Sequence, residues 1–205
     1  ADYPLVEASA DRLDQVPPGS LLELVRSFGQ RFPSTAALAQ RAVERSGCEA
    51  TLDVYDVDPT RRETWGGRAG ATALDLTTGD AALGSDHDLV LVDPYDLFER
   101  FEALLPLACK GPQSQTVLFY LFNKAPRSAP LHKRYLGLRD RLSALAGERR
   151  VLIGRIPSDA ILPRAFHEVL LVAPRELAAS LESSLCELTV ALSRVLTDGG
   201  AFEAR

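Results

Sequence analysis

The strongest pattern in the chain is Leu89-Val90-Leu91-Val92, four apolar residues that stop at the polar Asp93-Pro94-Tyr95-Asp96. A short, continuous apolar run bounded by a turn signal predicts a strand covered on both faces. Residues 116–122 (TVLFYLF) have the same character and predict a second buried strand. Residues 50–56 instead alternate and are rich in β-branched and aromatic side chains, which predicts a strand ending at Asp56. Further strand candidates are residues 71–76, 151–153 and 166–172.

The helical periodicities lie between these runs. Ser20 is placed to cap a short helix over residues 21–28, and Phe32-Pro33-Ser34 then breaks the chain. Ser34 caps a second helix over 35–45, with Ala37, Leu38, Ala42 and Val43 on its apolar side and Gly47 as its terminator. Asp58-Pro59 turns the chain into one or two helical turns at 60–65, and 66–70 is a glycine-rich loop. Helices are predicted over 97–109, with Phe98, Phe101, Leu104 and Leu105 on one side, over 131–145 and over 176–196. Strands and helices that alternate in this way predict an α/β fold, a mostly parallel sheet flanked by helices on both faces. Residues 1–30 read as an N-terminal arm with a short helix, and residues 31–205 as a single α/β domain.

Composition narrows the classes. The chain has 205 residues, 46% hydrophobic and 25% charged, which suits a globular domain with a proper core. No apolar run approaches the ~18 residues of a membrane span. The segment ADYPLVEAS has neither a basic nor an apolar region of a secretory signal, so a cytoplasmic location is the default expectation. Cys48, Cys109 and Cys186 are far apart and match no metal-ligand spacing, so each is expected to be a small buried hydrophobe and no metal is expected. The net charge of −5 disfavours broad capture of nucleic acid. A local exception is the basic stretch from Lys124 to Arg141, containing Arg127, His132, Lys133, Arg134, Tyr135 and Arg139. It reads either as a solvated helix face or as a phosphate-contacting patch.

Ligands of open α/β sheets bind outside the carboxyl ends of strands. Asp56, Asp80 (after Gly79) and Asp93 fall at such ends. An acid there suits a ribose, whose hydroxyls donate to a carboxylate, or an adenine amino group. Asp93-Pro94-Tyr95 suits a planar amino substrate, with the carboxylate and the proline carbonyl accepting its N–H bonds and the ring stacking on its face. The competing reading is the turn chemistry for which Asp is common. His87, His132 and His167 are scattered, and Trp65 reads more simply as buried than as a stacking platform. The chain lacks a nucleophile elbow and a P-loop.

Several short elements resemble, in order, those of the bacterial adenine-N6 methyltransferases that act on large-subunit ribosomal RNA. Phe32-Pro33-Ser34-Thr35 is similar to the family's Tyr-Pro-Gly-Ser, and Tyr55-Asp56-Val57-Asp58-Pro59 to its Glu-Leu-His-Pro. Gly79-Asp80-Ala81 is similar to Gly-Asp-Gly, and Asp93-Pro94-Tyr95 to Asp-Pro-Pro-Tyr/Phe with one proline missing. Residues 168–200 are similar to the last strand and helix. The matches span about residues 32–200, with no glycine-rich first-strand motif upstream of Asp56.

The resemblance implies a Rossmann-like methyltransferase sheet and S-adenosylmethionine-dependent transfer to the adenine amino group in RNA or DNA. It implies that Asp56 holds the cofactor ribose, that Gly79 and Asp80 contact its adenine, and that Asp93, Pro94 and Tyr95 orient the target base. Two alternatives stand beside it. One is a catalytically inactive module of the same fold that acts through a protein partner or a second copy, for instance on the helix 176–196. The other is one piece of a larger enzyme.

Overall fold

The structure, a computed structural model, describes residues 23, 35–49, 51–67, 71–75, 87–92, 104–106, 109–124, 129–157 and 165–196. They divide between two compact units, one within residues 15–83 and one within residues 84–205.

In the first unit, alanine-rich Thr35–Ser46 forms helix α1. Gly47 ends it at φ +69°, a left-handed conformation that glycine adopts without a Cβ clash, and its N–H reaches back 3.3 Å to Glu44 O. Strand β1 (Leu52–Asp56) buries Val54 at its centre. It pairs in parallel with β2 (Ala71–Asp75), from Leu52↔Ala71 to Asp56↔Asp75. Parallel neighbours need a crossover. Helix α2 (Pro59–Gly66) lies in that connection, packs on both strands and buries Trp65.

The second unit contains β3 (Leu89–Val92), β4 (Thr116–Lys124), α3 (Ala129–Leu145), β5 (Arg150–Pro157), β6 (Ala165–Ala173) and α4 (Arg175–Leu196). Residues 104–106 add a helical turn within the expected helix 97–109. The strands form one sheet in the order β3-β4-β6-β5. β3 and β4 are parallel, whereas β6 is antiparallel to both β4 and β5. The expectation of a mostly parallel sheet is therefore corrected here, since two of the three ladders are antiparallel. The physical reason is the connection. Only seven residues, 158–164, join β5 to β6, fewer than the dozen or so that a parallel crossover requires. β3, β4 and β5 still run in one direction, with β6 reversed between the last two.

β5 extends to Pro157, beyond the apolar triplet 151–153 that marked it, because β6 pairs with it along its whole length. β3 is covered less than its apolar run implied. Val92 is buried but Leu89 is half exposed, because β3 is the edge of the described sheet.

The register assigns the two faces of the sheet. Val117, Phe119, Leu170 and Val172 point one way and are fully buried, each contributing roughly 1.5–3 kcal/mol by leaving water. Helix α3 lies on that face. Its residues Arg139 and Leu142 are three apart, and Ala146 follows its end; Leu142 and Ala146 are buried, and Arg139 reaches Glu168 of β6. Helix α4 covers the opposite face. A Cβ placed on Gly154 would stand 3.1 Å from Leu185 Cγ, so the bare backbone of β5 is what lets α4 approach.

The edge of the sheet at the amino ends of β4 and β5 is tied by side chain to backbone bonds. Gln115 Nε2 donates to His87 O at 2.7 Å, and the Glu148 N–H donates to Gln113 Oε1 at 3.0 Å. Arg149, 5% exposed, donates from Nε, Nη1 and Nη2 to the carbonyls of Ala146 (3.2 Å), Gln115 (3.3 Å) and Cys109 (3.0 Å). Arg175 Nε donates to Glu148 O at 2.8 Å, adding the start of α4.

Candidate functional site

In the first unit, the chemistry gathers where β1 ends. Asp58 is the N-cap of α2, its Oδ1 accepting the Thr60 N–H at 2.9 Å, and Pro59 fills the first helical position, where no N–H is required. Two residues earlier, Asp56 Oδ1 accepts the Asp58 N–H at 2.9 Å. The Asp56 carbonyl accepts from Arg62 Nη1 at 2.9 Å. These bonds fix the strand-to-helix turn and hold the Asp56 carboxylate at the carboxyl end of β1, with its side chain 20% exposed.

Arg61 stands over this turn. Its Nη1 lies 3.7 Å from Asp56 Oδ2 and its Nε 3.6 Å from Asp58 Oδ2. Its side chain is 70% exposed, so these loose ion pairs add little to stability. The register pairs Asp56 with Asp75, which sets two acidic positions side by side at the ends of parallel strands. Tyr55, beside them, has its phenol pushed above the ordinary range, first by burial and then by the charge of Asp53.

Both readings of Asp56 thus meet in one residue. It performs the turn chemistry, and a carboxylate oxygen that accepts one N–H retains a lone pair, while Oδ2 accepts no hydrogen bond from the turn backbone. Gly79, Asp80, Asp93, Pro94 and Tyr95 lie outside the described residues.

The other singled-out residues divide. Trp65 is buried in α2, as its simpler reading required. Cys109 is buried, and burial pushes its thiol up while the Arg149 charge pulls it down. Cys48 and Cys186 are exposed, a correction to the expectation that all three are buried. Cys48 follows the end of α1 and Cys186 lies away from the sheet on α4, so neither position is covered. Among the described residues, no group of three or more His, Cys, Asp and Glu could hold a metal ion, and no helix is long and apolar enough to cross a membrane.

In the second unit, the basic stretch acquires an unexpected partner. Glu168 lies in β6 toward the carboxyl ends of β4 and β5 and is 3% exposed. Its Oε1 is 3.9 Å from Arg139 Nη1, and Arg155 of β5 stands directly opposite it in register. Glu168 and Arg155 were not among the sequence-derived candidates. The available signal was a single acid inside the apolar strand AFHEVLLVA, since a charge in such a run has either a partner or an open face.

No protein-family model matches the chain, and no curated protein matches it. Among solved structures it is similar to one from Thermoplasma acidophilum described as a "putative methyltransferase". The identity is 12% and the TM-score 0.39, over 69% of this chain. The chain spans 65% of the length of that protein. A likeness of this degree says nothing about ligand or reaction.

Proposed function

We propose that the chain is a methyltransferase-like α/β protein whose chemistry is S-adenosylmethionine-dependent N6-methylation of adenine in RNA or DNA. The observation that carries this reading is the placement of Asp56. Its carboxylate is held by the Asp58 N–H at the carboxyl end of a parallel strand, where a nucleoside ribose is gripped in open α/β sheets. In this reading Asp56 accepts the ribose hydroxyls, and Gly79 and Asp80 contact the cofactor adenine. Asp93, Pro94 and Tyr95 orient the target amino group. The cofactor supplies a reactive methyl group, so the protein's own contribution is positioning and exclusion of water.

A second reading, an inactive module of the same fold acting through a protein partner or a second copy, is favoured by one observation. Asp56 already serves its own turn and faces Arg61, so the carboxylate has a complete structural role without any ligand. Exposed Leu177 on α4 is a starting point for a partner surface.

Isothermal titration with S-adenosylmethionine and with S-adenosylhomocysteine separates the two. The first reading requires binding that Asp56→Asn weakens while the thermal midpoint of the free protein stays within a few degrees of the unsubstituted chain. The absence of both heat and thermal shift with either ligand refutes the cofactor reading and leaves the second.

A further inference from the structure

The turn after β1 uses its two acids in the same way. Asp56 Oδ1 accepts the Asp58 N–H and Asp58 Oδ1 accepts the Thr60 N–H, each at 2.9 Å. The backbone therefore takes one oxygen of each carboxylate. The other oxygens both face the guanidinium of Arg61. Asp56 Oδ2 is 3.7 Å from its Nη1, and Asp58 Oδ2 is 3.6 Å from its Nε. The neighbouring Arg62 is placed differently, donating from Nη1 to the Asp56 carbonyl at 2.9 Å. One cation is thus shared by two acids, and neither of its contacts is short enough to be a hydrogen bond.

Stability does not explain Arg61. It stands in the first turn of α2, where the helix dipole favours an acid and opposes a cation. Its side chain is 70% exposed and that of Asp58 is 42% exposed, so solvent screens the pairing. The arrangement acts instead on the Asp56 carboxylate. A hydroxyl that donates to Asp56 Oδ2 has to displace a positive charge from it. The guanidinium that gives way does not lose its only counter-ion, because Asp58 already stands on its other side.

We infer that Arg61 is a positioning residue that latches the Asp56 carboxylate and passes to Asp58 when a nucleoside ribose binds. The inference rests on the reading of Asp56 above. Asp56 makes the contact with the ligand. Arg61 sets how readily Asp56 is released for that contact, and Asp58 receives the guanidinium when it moves.

The experiment titrates the full chain with S-adenosylhomocysteine, which carries no net charge near neutral pH, across a range of salt concentrations. Arg61→Gln removes the latch and binds roughly two- to fivefold more tightly, the effect of one exposed ion pair. Asp58→Asn keeps a residue that caps α2 equally well but withdraws the second acid, so Arg61 is confined to Asp56 and affinity falls. In the Arg61→Gln background, Asp58→Asn has no such effect. Affinity of the unsubstituted chain rises with salt, because screening loosens the latch, and Arg61→Gln abolishes that rise. A ligand-free readout is the rate of carbodiimide coupling at Asp56, followed by mass spectrometry, which Arg61→Gln increases. The inference alone is overturned if the unsubstituted chain binds and Arg61→Gln leaves affinity and its salt dependence unchanged, or if Arg61→Gln and Asp58→Asn shift affinity in the same direction. If none of the proteins binds, the cofactor reading is overturned and the coupling rate decides the latch: faster coupling in Arg61→Gln upholds it, and an equal rate overturns it.

Discussion

Arg149 is the residue whose loss the structure predicts to be most costly to the second unit. Its guanidinium joins three segments by donating to Ala146 O at 3.2 Å, Gln115 O at 3.3 Å and Cys109 O at 3.0 Å. Replacing it with Met preserves much of the apolar stem and removes every donor. Hydrogen bonds to a charged group are worth about 1.5–3 kcal/mol, but these are longer than the 2.7–2.9 Å of strong charge-assisted bonds. Each is therefore set near 1 kcal/mol. The variant also no longer has to keep a cation out of water, which offsets part of the loss. The expected net destabilisation is about 2–3 kcal/mol, a large share of the roughly 5–15 kcal/mol that holds a domain folded. With a urea dependence of about 2–3 kcal/mol per molar, the midpoint falls by roughly 1 M. Urea unfolding followed by far-ultraviolet ellipticity gives the total, and thiol labelling reports the unit itself. Exposed Cys48 and Cys186 react quickly, while buried Cys109 reacts only on opening, so Arg149→Met accelerates the slow third thiol selectively. Arg149→Lys, with a compact ammonium in place of the planar fork, restores only part of the loss. A midpoint unchanged within about 0.3 M, with Cys109 labelling also unchanged, refutes the assignment of Arg149 as the tie across this edge.

Two further outcomes follow from close contacts and from titration. Gly154→Val places a Cβ 3.1–3.2 Å from three carbons of Leu185 and adds two methyl groups beyond it; the expected cost is about 1–3 kcal/mol, read as a lower urea midpoint that Leu185→Ala partly relieves. The Tyr55 phenol is raised above its ordinary value of 10.0 by burial and by Asp53, so the folded state favours its neutral form. That contribution is complete below pH 10 and is lost as pH rises through the higher folded value. Thermal melts across this alkaline range show a decline that Tyr55→Phe flattens, and equal declines in both proteins refute the assignment.

What could be read in advance follows from what is local. Strands β1 to β4 and helices α1 to α4 were legible from periodicity and from turn residues such as Gly47 and Asp58-Pro59. These signals depend only on a residue's near neighbours. β5 was underestimated because Gly154 and Arg155 interrupt its apolar run, and the bonds that keep them in a strand come from β6, across the ladder. Asp56 was legible as an acid at a strand end. Its dual use was not, because the N–H of Asp58 and the side chain of Arg61 become its neighbours only once the turn has formed.

The reversed strand β6 shows how topology creates chemistry that no motif carries. An apolar run does not state its direction, so alternation of elements alone suggested another parallel strand. The seven-residue connection 158–164 forces β6 to return beside β5, and it does so on the side that also meets β4. That return carries Glu168 into the middle of the sheet, beneath α3 and opposite Arg155. Had the strand run the other way, the register that sets Glu168 against Arg155 could not exist, and Arg139 would lie on a basic helix with nothing to anchor it. The buried acid beneath α3 is therefore a consequence of strand order. Exchanging Glu168 and Arg155 between their strands tests this directly. The total charge is unchanged, but the buried position then carries a cation. The urea midpoint falls if the buried position must hold the acid, and stays the same if only net charge matters.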